Sequence, residues 1–187
     1  MTESTAAPRF RALDMAYIAL SAVLIAVCAW ASVPLPKPFV PFTMQTFGVF
    51  AALMCLGGRR GFYGVLVYLL LGAIGLPVFS GFRGGAGVLF DATGGYLIGF
   101  AALALVYWAI TAKFGDALPV QIAACAAGLA ACYAFGTAWF VALYASAHEA
   151  IGVMTALGWC VFPYLLPDAV KLCLAAALGR RVSGLAK

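Results

Sequence analysis

The chain has 187 residues, 66% of them hydrophobic and only 9% charged, with a net charge of +5 and a mean hydropathy of +1.07. So few charges cannot cover the surface of a water-soluble domain of this size, which excludes a soluble fold and makes the lipid bilayer the solvent. Apolar runs near the roughly 20 residues a helix needs to cross hydrocarbon recur along almost the whole length. Helices are the expected spanning element, because lipid offers no partner for unpaired backbone groups and the runs lack barrel-type alternation.

Taken in order, the runs predict six spans in one membrane domain covering 1–187. A basic start at Arg9 and Arg11 leads into a first span over about 13–33. Its Ala29 and Ala31 imitate a signal-peptidase site, but the stretch is longer than a signal core, so it is expected to remain as a helix. Ala12, Ala16, Ala19, Ala22 and Ala26 recur on it at three- and four-residue spacing, which lets helices approach closely. Ala123, Ala127 and Ala131 repeat that spacing later, so packing within the chain also accounts for it. A proline-rich loop (Pro34, Pro36, Pro38, Pro41) precedes a shorter second span over about 45–58, and Gly57 and Gly58 turn the chain into a third over about 61–77. A glycine- and aromatic-rich loop follows, then a fourth span over about 94–112 and a turn from Lys113 to Pro119. The fifth covers about 118–144, polar His148 and Glu149 come next, and the sixth covers about 152–178.

With the N-terminus cytoplasmic, this count places Arg9, Arg11, Arg59, Arg60, Lys113, Arg180, Arg181 and Lys187 inside and only Lys37 and Arg83 outside. That satisfies the positive-inside rule, and one span more or fewer would spoil it. The fold class is therefore an all-α integral membrane protein with both termini cytoplasmic and long outer loops after the first and third spans. The positive charge reflects topology and implies no nucleic acid. No metal is expected: Cys28, Cys55, Cys125, Cys132, Cys160 and Cys173 all lie in apolar runs without C-x-x-C spacing, where cysteine behaves as a small hydrophobe. Hydrolase motifs and a P-loop lysine are missing from the sequence, so the chain is expected neither to be an enzyme nor to hydrolyse ATP itself.

What remains suits a small-molecule site. Asp168 and Lys171 stand three apart in the last span, hence on one helical face. Ionisable groups at membrane depth face a cavity, a partner or a ligand; a mutually neutralising structural pair is the alternative. Pro163 and Pro167 predict a kink or interruption where the pair begins, and transporters place ligand sites at broken helices. The first outer loop, Pro34 to Gln45, carries Phe39, Phe42, Thr43 and Gln45. The second, Leu76 to Tyr96, carries Phe79, Phe82, Arg83, Phe90, Asp91 and Tyr96 among glycines. Apolar walls with a few placed polar groups are what a small-ligand pocket needs.

Four stretches then become familiar: P-L-P-K-P-F-V-P-F-T-M-Q-T-F-G-V-F from Pro34 to Phe50, L-G-G-R-R-G from Leu56 to Gly61, Y-L-L-L-G-A-I-G-L-P-V-F from Tyr68 to Phe79, and T-G-G-Y-L-I-G-F from Thr93 to Phe100. With P-D-A-V-K from Pro167 and the basic G-R-R-V from Gly179, the chain resembles the BioY family, the biotin-specific substrate-binding subunits of energy-coupling factor transporters. Two positions depart from the family pattern, Ala92 and Gly58, each where a proline is expected.

The resemblance implies a bacterial plasma-membrane, multi-pass protein that captures biotin from outside and delivers it inward. It implies no cofactor of the chain's own, since ATP is used only by partner subunits: a transmembrane scaffold and two ATPases. Asp168 would accept from a ureido N–H of biotin and Lys171 donate to the ureido oxygen. Thr43, Gln45 and Asp91 would complete the polar shell, Phe39, Phe79, Phe90 and Tyr96 wall the apolar part, and Arg83 meet the carboxylate or stay solvated. Ala16, Ala19, Ala22 and Ala26 would form a face that docks on the scaffold. The alternatives are a subunit for another vitamin, riboflavin or thiamine, and a membrane enzyme using Asp168 and Lys171 as an acid–base pair.

Overall fold

The computed structural model describes residues 11–36, 39–147 and 151–185. Arg9, Lys37, Pro38, His148, Glu149 and Lys187, which enter the expectations above, lie outside the described residues. Helix α1 (Ala12–Trp30) starts with a carboxylate at its positive end, where the helix dipole favours it. Asp14 there accepts from the Arg11 amide at 3.1 Å and from Arg60 at 2.7 Å.

The first loop, expected on the outer side, closes on itself through a short antiparallel ribbon of β1 (Ser32–Val33) and β2 (Phe42–Thr43), which sets Ser32 opposite Thr43. Helix α2 (Gln45–Leu56) follows directly. Gly57, at a φ of 86° that only glycine adopts freely, turns the chain into α3 (Gly58–Ala73), so that Gly61 packs against Leu53. The second loop, also expected on the outer side, contains a 3-10 turn over Ser80–Phe82 and a short α4 (Ala86–Leu89). The amide of Gly85 donates to the Gly72 carbonyl and ties this loop back to the end of α3.

Helices α5 (Gly94–Phe114) and α6 (Leu118–Ala147) form a closely packed pair. Glycines face larger partners along their seam: Gly95 meets Trp139, Gly99 meets Cys132, and Gly136 meets the Tyr96 ring. Small residues of this kind allow backbones to approach where no hydrophobic effect drives helices together.

The final apolar stretch, expected as one span over 152–178, is two helices, α7 (Val153–Cys160) and α8 (Phe162–Leu185), with non-helical Val161 between them. A continuous helix would drive the Pro163 ring into the carbonyl four residues earlier. A break just ahead leaves Pro163 in the first turn of α8, where its missing N–H costs little. Pro167 is carried inside α8.

Among the described helices, α1, α5, α6 and α8 are long and apolar enough to cross a membrane. Helices α2 and α3, with 12 and 16 residues, reach about 18 and 24 Å at 1.5 Å per residue, short of the roughly 30 Å hydrocarbon core. Short α2 is also the most enclosed. Nine of its residues are buried, and it packs against α1, α3 and α8.

That packing corrects one expectation. Ala22 and Ala26 are 2% and 7% exposed and belong to the core, whereas Ala16 and Ala19 are exposed. On its buried face the small residues of α1 serve contacts within the chain: a Cβ on Gly48 of α2 would lie 3.0 Å from Cys28, and one on Gly64 of α3 only 2.3 Å from Ser21. Ala22 and Ala26 are therefore not part of a free docking face.

Candidate functional site

The helices leave a partly open cavity between the two loops, the starts of α2 and α5, the middle of α6, the end of α7 and the first half of α8. Helix α8 contributes Tyr164, Asp168 and Lys171, spaced four and three residues apart and so on one stripe of the helix.

Asp168 and Lys171 are each 4% exposed. The Lys171 ammonium donates to Asp168 Oδ1 at 2.7 Å and to the backbone carbonyl of Thr43, also at 2.7 Å. It lies 4.4 Å from the centre of the Phe42 ring, within cation–π range. The ribbon of the first loop thus delivers a carbonyl and an aromatic face to the lysine. On the other side, the Tyr133 hydroxyl of α6 donates to Asp168 Oδ2 at 2.5 Å. Two charges removed from water are costly unless paired and further hydrogen-bonded, and here both conditions are met.

The rest of the lining is mostly apolar. Phe79 is buried, set edge-on to Tyr68 at 5.5 Å between ring centres and pressed against Gly72, where a Cβ would fall 2.0 Å from the ring. Tyr96, Leu97, Phe100, Leu129, Cys132 and Cys160 continue the wall. The Tyr96 hydroxyl pairs with Thr137 Oγ1 at 3.0 Å. Gln45 and Thr46 enter from the start of α2, with the Gln45 amide donating to the Tyr68 hydroxyl at 2.6 Å. Arg83 lines the cavity from the second loop. It is half-exposed, donates to the Ser80 carbonyl and lies 3.7 Å from Asp91.

The structure thus brings Asp168, Lys171, Thr43, Gln45, Tyr96, Phe79 and Arg83 to one cavity. It leaves Asp91, Phe90 and Phe39 out of the lining. The Asp91 carboxylate accepts from the Ala92 amide at 2.7 Å and its carbonyl from the Trp139 indole at 3.2 Å, so it organises the loop. The first of these bonds needs an N–H that a proline at 92 would lack. Phe90 ends α4 at 68% exposure and Phe39 is 38% exposed.

Sequence reasoning missed Tyr133, Tyr164 and Thr46. Tyr164 carried the one available signal, four residues before Asp168 on the same helical stripe; its hydroxyl donates to the Val40 carbonyl. Tyr133 sits in a run of apolar and small residues that gives no cue.

Fold and site together define a polytopic helical membrane protein built around a cavity that contains a buried ion pair. The family model for the BioY family matches residues 1–187, and the chain belongs to that family. A biotin transporter BioY from Thermotoga maritima is 41% identical over 162 residues, covering 87% of this chain and 90% of the relative. A probable biotin transporter BioY from Pyrococcus horikoshii is 32% identical over 174 residues, covering 93% and 98%. The crystal structure of the S-component for biotin from an ECF-type ABC transporter shares the fold, with a TM-score of 0.80 at 23% identity over 92% of this chain and 91% of that one.

Proposed function

We propose that this protein is the biotin-binding subunit of an energy-coupling factor transporter, taking biotin from outside the cell and passing it inward without chemical change. The buried Asp168–Lys171 pair in a mostly apolar cavity carries this conclusion. Biotin offers a ureido ring with two N–H donors and one carbonyl acceptor, an apolar thiophane and chain, and a carboxylate. An ionised carboxylate beside an ammonium complements the ureido ring, since charge-assisted hydrogen bonds in a dry site are worth about 1.5–3 kcal/mol each. Phe79, Tyr96 and Phe100 suit the thiophane and chain, and Arg83, on the second loop, suits the carboxylate. The names of the relatives agree with this assignment.

In this proposal the protein lies in the bacterial plasma membrane with six spans and cytoplasmic termini, α2 and α3 being the two short ones. Arg11, Arg59, Arg60 and Asp116 share a groove formed by the start of α1, the α2–α3 turn and the end of α5, at the end of the bundle assigned to the cytoplasm. A scaffold subunit and two ATPases supply the energy, and exposed Ala16 and Ala19 are the alanines of α1 available to meet the scaffold. Mass spectrometry of small molecules released from the purified protein is the direct test. Biotin in near-equal amount to protein is expected. Riboflavin or thiamine in its place would reassign the ligand, and turnover of added biotin would make the chain an enzyme.

A further inference from the structure

Asp168 needs a fixed orientation to serve as an acceptor, and Lys171 supplies only half of it. Lys171 engages Oδ1, while Oδ2 is held by a residue of a different helix, Tyr133 of α6. An ionised carboxylate offers about four lone-pair positions and can only accept, so the phenol must be the donor in this contact. Two positions are then used by the protein, and the remainder are what an incoming N–H meets. A carboxylate clamped at both oxygens cannot rotate about its terminal torsion, which is otherwise broad. Pre-paid orientation of this kind raises affinity by lowering the ordering cost of binding.

Helix α8 is seated mainly on α2 and only lightly on α6. Tyr133 and Asp168 both line the cavity, so their hydrogen bond runs along the wall of the site itself. We infer that Tyr133 is a positioning residue for ligand recognition, fixing the Asp168 carboxylate so that it accepts from a ureido N–H. This rests on the biotin assignment above and adds to it a residue on the helix opposite the ion pair.

The test is a double-variant cycle on the full chain in detergent, with biotin affinity measured by calorimetry and thermal stability in parallel. Tyr133→Phe deletes one oxygen and keeps the ring. Biotin binding is expected to weaken roughly 10- to 100-fold, the range for losing a hydrogen bond to a charged group, with the melting temperature little changed. In an Asp168→Asn background, where the ionised acceptor is already gone, the same substitution should cost threefold or less. Mere structural loosening would instead lower affinity by the same factor in both backgrounds. That outcome, a Tyr133→Phe affinity within twofold of wild type, or a variant that no longer folds, overturns the inference while leaving the biotin assignment intact. A wild-type chain that binds no biotin removes both.

Discussion

Lys171 is the most heavily committed side chain in the site. It neutralises Asp168, satisfies the Thr43 carbonyl and stands against the Phe42 ring, so one ammonium links α8 to the first loop. Lys171→Met should therefore strand both a buried carboxylate and a carbonyl, and Asp168→Asn should leave a buried ammonium without its counter-charge. Each is expected to weaken biotin binding by about 2–5 kcal/mol, the range for breaking a buried charged contact. A purely structural pair behaves otherwise. Its single variants lose stability, and the double variant Asp168→Asn with Lys171→Met regains both stability and affinity. Calorimetric affinities of the three variants beside their melting temperatures separate the two cases. The pair was legible from sequence because charge is so rare in this chain that two ionisable groups three apart in an apolar run stand out. Tyr133 was not, because a tyrosine among alanines looks the same whether it faces lipid, core or ligand.

At the scale of elements, close helix approach explains where small residues sit. Ser21 of α1 meets Gly64 of α3 so tightly that no Cβ fits without movement, and Ala22 faces the core on the same turn. Gly64→Ala and Ala22→Leu are each expected to cost roughly 1–3 kcal/mol of stability through overpacking. The expected readout is a lower melting temperature of the isolated subunit, which needs no scaffold present. Unchanged stability with failed assembly would instead return Ala22 to the docking face. The alanine spacing itself was visible in the sequence. Which partner it served was not, since a spacing of three or four residues reports a helical face and not what lies against it. The break ahead of Pro163 was legible only in part: proline chemistry predicts a kink or interruption where the ion pair begins, whereas the break falls at Val161 and α8 runs on through Pro167 and the pair. The short turns of the second loop had no periodic signal at all, being too brief for one.

For the whole molecule, the two ends of the bundle differ in kind. The cavity opens beside Val40, Ser80 and Arg83, while Arg11, Arg59, Arg60 and Asp116 gather at a groove elsewhere. If the basic end is cytoplasmic, a reporter inserted between α5 and α6, near Asp116, reads as cytoplasmic, and so does one fused after Lys187. An outside signal at either position breaks the six-span topology.

The shortness of α2 constrains how such a protein can be made. Twelve residues do not reach across the hydrocarbon, so α2 cannot be threaded into the membrane as an independent insertion step and must enter with α1 and α3. One flank then stays bare until α8, made long after α2, packs along it and brings Gly179 to Met54. Assembly of the site keeps the same schedule, since the Lys171–Thr43 bond joins residues 128 positions apart. The site is therefore complete only once α8 is in place. A chain released early leaves an apolar rod uncovered for the quality-control machinery of the cell to find.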